Sequence, residues 1–119
     1  KSLSLLGAHT LAESCEELHF RQNGRFAGVY DFTNATPYSA LMQHWLDRIK
    51  NNKPSSSDDV QHSLLIMCHP SVDASDATDV IAQARVREYN YFKSDQFGQD
   101  CADRFIAFTQ FAAKRPGEL

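Results

Sequence analysis

The feature that most constrains the fold of this chain is an apolar run that ends in a histidine and a proline. Residues 64–68 are Leu-Leu-Ile-Met-Cys, and His69 and Pro70 follow directly. A run of this length and hydrophobicity predicts a strand that is buried on both faces, as in a parallel sheet. Because proline cannot continue a central strand, the run should end at His69. The sequence therefore predicts an α/β fold with a histidine at the end of a buried strand.

Helix and strand signals alternate through the first half of the chain. Residues 10–13, Thr-Leu-Ala-Glu, have the spacing of a capping box, which predicts a helix start, and residues 23–24, Asn-Gly, predict its end. Alternating side chains over 25–32 predict a strand, and Gly28 within it predicts a close approach by neighbouring atoms. Residues 36–37, Thr-Pro, predict the start of a second helix. The apolar stripe of that helix consists of Leu41, Met42, Trp45, Leu46 and Ile49.

The second half continues this alternation after a polar interruption. Residues 51–60 are polar and rich in serine, which predicts an exposed loop before the strand that ends at His69. Apolar spacing over 80–92 predicts a helix, residues 95–103 a short helix, and the aromatic run 105–111 a strand. Strands that alternate with helices pair in parallel through crossover connections. We therefore expect about three parallel strands with flanking helices.

Three predicted strands are too few for a complete parallel α/β domain. Three parallel strands form a narrow sheet with two unpaired edges, which is more natural as a segment of a larger barrel or open sheet. Residues 1–119 are therefore expected to be a single partial domain, and Lys1 is not expected to be a natural protein start. The exposed edges of such a piece favour a homodimer that forms through the sheet edges.

Composition excludes several classes of function. The net charge is −3 and the isoelectric point is near 5.9, so no basic surface for nucleic acid is indicated. No apolar stretch approaches the roughly 20 residues of a membrane span. Cys15, Cys68 and Cys101 are odd in number and widely spaced, which suits neither a disulfide framework nor a Cys-x-x-Cys metal site. A reducing, cytoplasmic location is the expectation.

The strand ends hold the candidate functional residues. In parallel α/β folds these residues collect after the C-terminal ends of strands, which here are Tyr30-Asp31 and His69. An imidazole with an unperturbed pKa near 6.5 can act as a general acid or base, so His69 is the stronger candidate. Cys68 should point to the opposite face from its neighbour and fill the core rather than form a Cys-His nucleophile pair.

A charged stretch downstream, residues 85–89, leaves three interpretations open. It forms a solvated helix face, or Arg85 pairs with Glu88 three residues later on the same helix, or Arg85 reaches toward the loop around His69. No group of histidine, cysteine or carboxylate side chains has the spacing of a zinc site, so no metal ligands are predicted within this chain. Phosphate-binding glycine loops and the serine-hydrolase elbow are also absent from the sequence.

Three sequence segments together resemble a known family. Residues 26–32 (Phe-Ala-Gly-Val-Tyr-Asp-Phe), 65–70 (Leu-Ile-Met-Cys-His-Pro) and 84–97 with Arg85, Glu88 and Phe97 resemble, in order and spacing, the C-terminal part of the YdjC-like carbohydrate deacetylases. This family includes the chito-oligosaccharide deacetylases and the hopanoid-associated HpnK deacetylases. The resemblance covers nearly the whole chain.

The resemblance implies a fold and an activity. The fold would be the C-terminal segment of a distorted TIM-like β/α barrel, and the activity would be removal of N-acetyl groups from an N-acetylated sugar or oligosaccharide. A divalent metal, Mg²⁺ or Zn²⁺, would polarise the amide in the complete enzyme, with ligands from residues that precede Lys1. This chain alone should therefore bind no such metal and be inactive.

The same resemblance assigns roles to individual residues. His69 matches the family's late His-Pro histidine, which would protonate the leaving amine or orient the substrate. Arg85 and Glu88 match positions that would hold the loop after His69, and Tyr30 and Asp31 would contribute to substrate binding or loop support. Family members usually continue His-Pro-Gly, whereas Ser71 follows Pro70 here, and a backbone that requires positive φ would be disfavoured at a serine.

A second function from a different class remains open. In that alternative the chain is a non-enzymatic α/β interaction module, and His69 is only a residue at the end of a strand. The aromatic side chains Phe26, Tyr30 and Phe32 would then pack a core or a partner.

Overall fold

The computed structural model describes residues 7–18, 24–50 and 63–108, so the predicted loop at 51–60 lies outside the described residues. The described part is an α/β arrangement of four helices and two strands, which confirms the predicted fold class at that level. In chain order the elements are α1 (Ala8–Glu17), β1 (Arg25–Ala27), α2 (Tyr38–Lys50), β2 (Leu64–Ile66), α3 (Ala82–Lys93) and α4 (Gln96–Ala102).

The two strands pair in parallel, as the alternation of helices and strands predicts. Phe26 lies opposite Leu65 in the register, and the backbone N–H of Met67 donates to the carbonyl of Ala27 at 3.0 Å. The chain passes through α2 between the two strands, so β1, α2 and β2 form one strand–helix–strand unit. The C-terminal ends of both strands therefore lie at the same edge of the sheet.

Strand β1 is shorter than the predicted span 25–32 because the backbone turns at Gly28. Its φ is +102°, a conformation that only glycine adopts readily. A Cβ atom at this position would lie 2.1 Å from the carbonyl oxygen of Met67, so the predicted close approach over Gly28 is confirmed. The turn ends the strand and directs Tyr30 and Asp31 into a loop beyond it.

Burial of β2 on both faces is a prediction that the structure contradicts. Leu64 and Ile66 pack against the core, but the alternating side chains Leu65 and Met67 are 50% and 37% exposed. In the described residues the helices cover only one face of the sheet, so every second side chain of β2 meets solvent. Cys68 is exposed as well and does not fill the core.

Helix α2 supplies the centre of the core. Its predicted apolar stripe is confirmed, with Met42, Trp45 and Leu46 buried. The helix packs against α3 and α4, and Tyr38 at its start contacts the ring of Tyr91 from α3 edge-on at 5.3 Å. These contacts place a layer of three helices on the covered face of the sheet.

Element ends differ from the sequence predictions at both ends of the chain. Helix α1 begins at Ala8 rather than at Thr10, with the carbonyl of Gly7 accepting from the N–H of Leu11. The short helix predicted over 95–103 is confirmed as α4. Of the strand predicted over 105–111, residues 105–108 are not a strand, since Phe105 has φ +56°, and residues 109–111 lie outside the described residues. Among the described helices, none combines the length and the hydropathy that crossing a membrane requires.

Candidate functional site

A buried glutamate links the chain segments that follow the two strands. Glu88 lies on α3 and is 0% exposed. Its Oε1 accepts a hydrogen bond from the Tyr30 hydroxyl at 2.8 Å, and its Oε2 accepts one from the backbone N–H of His69 at 2.5 Å. A carboxylate that loses hydration on burial requires such donors. Glu88 therefore connects the end of β1 to the end of β2.

The neighbouring arginines of α3 bind elsewhere. The Nε of Arg85 lies 2.6 Å from Asp79 Oδ2, and one of its terminal nitrogens donates to the carbonyl of His69 at 3.3 Å. Arg87 donates to the carbonyl of Phe32 at 2.9 Å. Of the three interpretations, the one that directs Arg85 to the loop around His69 is confirmed, and the pairing of Arg85 with Glu88 is wrong. The stretch is not simply a solvated face either, because Glu88 is buried.

His69 is held through its main chain on both sides. Glu88 accepts from its N–H and Arg85 donates to its carbonyl, so the backbone position is fixed by two side chains of α3. The imidazole lies edge-on to the ring of Phe32, with centroids 5.6 Å apart. Its Nδ1 is buried and has no hydrogen-bond partner among the described residues. The ring is thus oriented by packing rather than by a hydrogen bond.

Tyr30 joins this group to the aromatic core. Its ring lies 4.7 Å from Phe32, 5.7 Å from Tyr38 and 6.1 Å from Trp45. Burial, the hydrogen bond to Glu88 and the Glu88 charge raise the pKa of Tyr30, so its hydroxyl remains a proton donor over the physiological range. Tyr30 thus couples the strand ends to helix α2.

Asp31 does not join the group around Glu88. Its side chain is exposed, and its Oδ1 accepts from the N–H and the hydroxyl of Thr33 at 3.0 and 2.8 Å. These hydrogen bonds lower the pKa of Asp31. Asp31 and Tyr30 instead share a pocket of about 230 Å³. The pocket is lined by Tyr30, Asp31, Thr33, Ala35, Thr36 and Leu41.

The serine after Pro70 causes no backbone strain. In the described residues, Phe32 and Phe105 are the non-glycine positions with positive φ, so Ser71 does not adopt the conformation that a glycine would favour. The N–H of Ser71 donates to the carbonyl of Arg85, and its hydroxyl donates to the carbonyl of Asp73. The departure from His-Pro-Gly is therefore accommodated by ordinary hydrogen bonds to α3 and the following loop.

Sequence reasoning did not place Phe32 and Arg87 beside His69, because their positions depend on a φ angle and on contacts between residues distant in sequence. It also missed Asp100, which forms a separate hydrogen-bond network between α2, α3 and α4. Asp100 is 2% exposed, and it accepts from the Tyr91 hydroxyl at 2.6 Å and from Gln96 and Gln43 at 2.8 and 3.1 Å. The i, i+4 spacing of Gln96 and Asp100 was the one local signal for this network.

A metal ion does not fit the described residues. Over 7–18, 24–50 and 63–108, no three histidine, cysteine or carboxylate side chains come together as a set that could hold one. At the strand ends, the groups that could take part in chemistry include the His69 imidazole and the Tyr30 hydroxyl.

Known proteins provide no further guide to this site. Comparisons of the chain with protein-family models, curated proteins and solved structures found no match.

Proposed function

We propose that this chain is the C-terminal portion of a YdjC-like carbohydrate N-deacetylase, which hydrolyses N-acetyl groups on amino sugars. The observation that carries the proposal is the position of His69. It lies just beyond the end of a parallel strand, with its main chain fixed by Glu88 on one side and Arg85 on the other. Ligands of parallel α/β folds bind at this edge of the sheet. The three segments that resemble the family supply the reaction class.

In this proposal His69 acts as the general acid. Hydrolysis of an amide expels an amine, which leaves readily only if its nitrogen gains a proton as the C–N bond breaks. A protonated imidazole can supply that proton. Glu88, Arg85 and Tyr30 hold the histidine in place, and the pocket beside Tyr30 and Asp31 offers carboxylate and hydroxyl groups to a sugar.

The proposal assigns the metal to other parts of the complete protein. A divalent ion, Mg²⁺ or Zn²⁺, would polarise the acetamide carbonyl there. Its ligands, by the family resemblance, would precede Lys1. We therefore expect the 119-residue chain alone to release no acetate, with or without added metal.

The decisive experiment uses the complete protein encoded by the gene that contains this sequence. Acetate release from N-acetylated chito-oligosaccharides is measured with added Mg²⁺ or Zn²⁺ for the wild type, His69→Ala and His44→Ala. Loss of a general acid should lower turnover by about 100-fold or more. His44 is exposed on α2, so its replacement should leave turnover within about twofold of wild type.

The results of this experiment distinguish the deacetylase from the interaction module. Absence of acetate release by the wild-type protein, or equal turnover of the two histidine variants, would contradict the deacetylase. An interaction module is the second candidate, favoured by the exposed apolar side chains of Leu65 and Met67 on the uncovered face of the sheet. Under that alternative His69→Ala would alter only stability or the affinity for a partner.

A further inference from the structure

Phe32 has a backbone conformation that its side chain disfavours. Its φ is +62°, in the left-handed region, where a residue with a bulky side chain is a genuine outlier. That conformation is less stable than the right-handed one, because it brings the Cβ atom too close to the following carbonyl oxygen. Arg87 holds the Phe32 carbonyl at 2.9 Å, and Asp31 accepts from the N–H of Thr33 at 3.0 Å. Hydrogen bonds on both sides therefore maintain the unfavourable angle.

The ring of Phe32 lies against the candidate histidine. Its centroid is 5.6 Å from that of His69 with the planes at 76°, and 4.7 Å from that of Tyr30. The Tyr30 hydroxyl and the His69 N–H both bind Glu88, so the surroundings of Phe32 are fixed. Strained residues of this kind cluster at functional sites, where the surrounding structure determines their conformation.

Within the described part of the chain, no hydrogen bond orients the imidazole of His69. Nδ1 is buried without a partner, and the hydrogen bonds of this residue are made by its main chain. We propose that Phe32 is a positioning residue for His69: its left-handed backbone, held by Arg87, places the phenyl ring edge-on against the imidazole and sets the orientation of that ring. Its importance for catalysis rests on the proposed deacetylase function, but the contact itself does not.

The first test measures the NMR signals of the His69 ring, which report its surroundings. NMR spectra of the complete protein with labelled histidine are compared for the wild type, Phe32→Leu, Phe32→Asn and Phe32→Tyr. Asparagine tolerates positive φ but has no aromatic ring, leucine keeps bulk, and tyrosine keeps the ring. We expect the His69 ring signals to move from their wild-type positions in the leucine and asparagine variants and to stay in the tyrosine variant.

Phe105 provides a matched control. It also has a positive φ, at +56°, but its side chain is 96% exposed. Phe105→Asn should leave the His69 ring signals unchanged. Unchanged His69 signals in a folded Phe32→Asn chain would overturn the inference. If the leucine variant does not fold, the asparagine variant decides, because it relieves the backbone strain while removing the ring.

The second test uses the complete protein and separates this inference from the proposed function. Misplacement of a reacting group by about 1 Å costs up to about 100-fold in rate. We expect Phe32→Asn to lower kcat by about 10-fold or more with little change in KM, and Phe32→Tyr to restore it. An inactive wild type would refute the deacetylase and leave the NMR result to decide the contact. An active wild type with unchanged kcat in Phe32→Asn would refute the positioning role alone.

Discussion

Glu88 is completely buried although a carboxylate loses most of its hydration in a protein interior. In the described structure its partners are a hydroxyl and a backbone N–H, because the two arginines that precede it on α3 bind Asp79, His69 and Phe32 instead. When two neutral donors hold a buried carboxylate, the stability of the folded chain depends strongly on each of these hydrogen bonds. The charged stretch 85–89 draws attention to Glu88 in the sequence, but its partner Tyr30 is 58 residues away and no local pattern predicts that contact.

Tyr30→Phe should destabilise the chain at neutral pH. The change removes the donor to Glu88 Oε1 and leaves one oxygen of a buried carboxylate without its hydrogen bond, which costs about 1–3 kcal/mol. We expect urea unfolding of the 119-residue chain to show a loss in the free energy of unfolding within this range.

Tyr89→Phe is the control for this measurement. Tyr89 lies on the same helix as Glu88 and is only partly buried, and its hydroxyl makes no hydrogen bond within the described structure. Its replacement should change the free energy of unfolding by less than about 0.5 kcal/mol. Equal losses in the two variants would show that the hydroxyl of Tyr30 contributes nothing specific.

At the scale of elements, the strands end where backbone geometry requires it. The apolar and alternating patterns located both strands and the parallel pairing, and the stripe on α2 located the core. They did not predict that both strands would be only three residues long, because the end of β1 depends on the φ of Gly28 and on its contact with Met67. Nor does hydrophobicity alone reveal that one face of β2 is uncovered.

Gly28→Ala should strongly weaken the pairing of β1 with β2. An alanine would be strained at φ +102°, and its Cβ would lie 2.1 Å from a backbone oxygen and 2.8 Å from a backbone nitrogen of Met67. We expect the free energy of unfolding to fall by at least about 2 kcal/mol in chemical denaturation.

The same substitution at Gly98 should have the opposite sign. Gly98 lies in α4, and apart from the backbone of that helix no atom of the described residues lies within 4 Å of a Cβ at that position. Alanine in a helix is more favourable than glycine by about 0.5–1 kcal/mol. If Gly28→Ala lowered the free energy of unfolding by no more than Gly98→Ala raised it, the close contact between the two strands would be contradicted.

At the scale of the whole molecule, the core and the site share a chain of aromatic side chains that includes three shielded tyrosines. Burial raises the pKa of Tyr30, Tyr38 and Tyr91, with further contributions from Glu88 to the first two and from Asp100 to the third. The expected homodimer through the sheet edges stays a prediction, and so does the barrel of which this sheet would be a segment. The titration of the tyrosines, by contrast, follows from the described structure.

Stability should fall as the pH rises above about 10. In the unfolded chain these hydroxyls lose their protons near that pH, whereas in the folded chain they keep them, so the unfolded state binds fewer protons. Each group then removes up to about 1.4 kcal/mol of stability per pH unit. Measurement of the free energy of unfolding from pH 7 to 11.5 should show this loss.

Tyr38→Phe isolates one of these groups. The Tyr38 hydroxyl is buried without a described hydrogen-bond partner, so its removal deletes a titration and breaks no bond. We expect this variant to keep or gain stability at pH 7 and to lose it less steeply above pH 10. If the free energy of unfolding of this variant fell with pH as steeply as that of the wild type, Tyr38 would ionise as readily in the folded chain as in the unfolded chain.

The convergence of three segments on Glu88 also determines when the site can form during folding. The carboxylate joins residues 58 and 19 positions away along the chain, and contacts of such long separation require loops to close before they yield any stabilisation. Neither strand end nor helix α3 can assemble this site by itself. A nascent or partly unfolded chain therefore carries all of the relevant residues but none of their geometry, and His69 acquires its surroundings only once the chain segments on either side of it have closed onto α3.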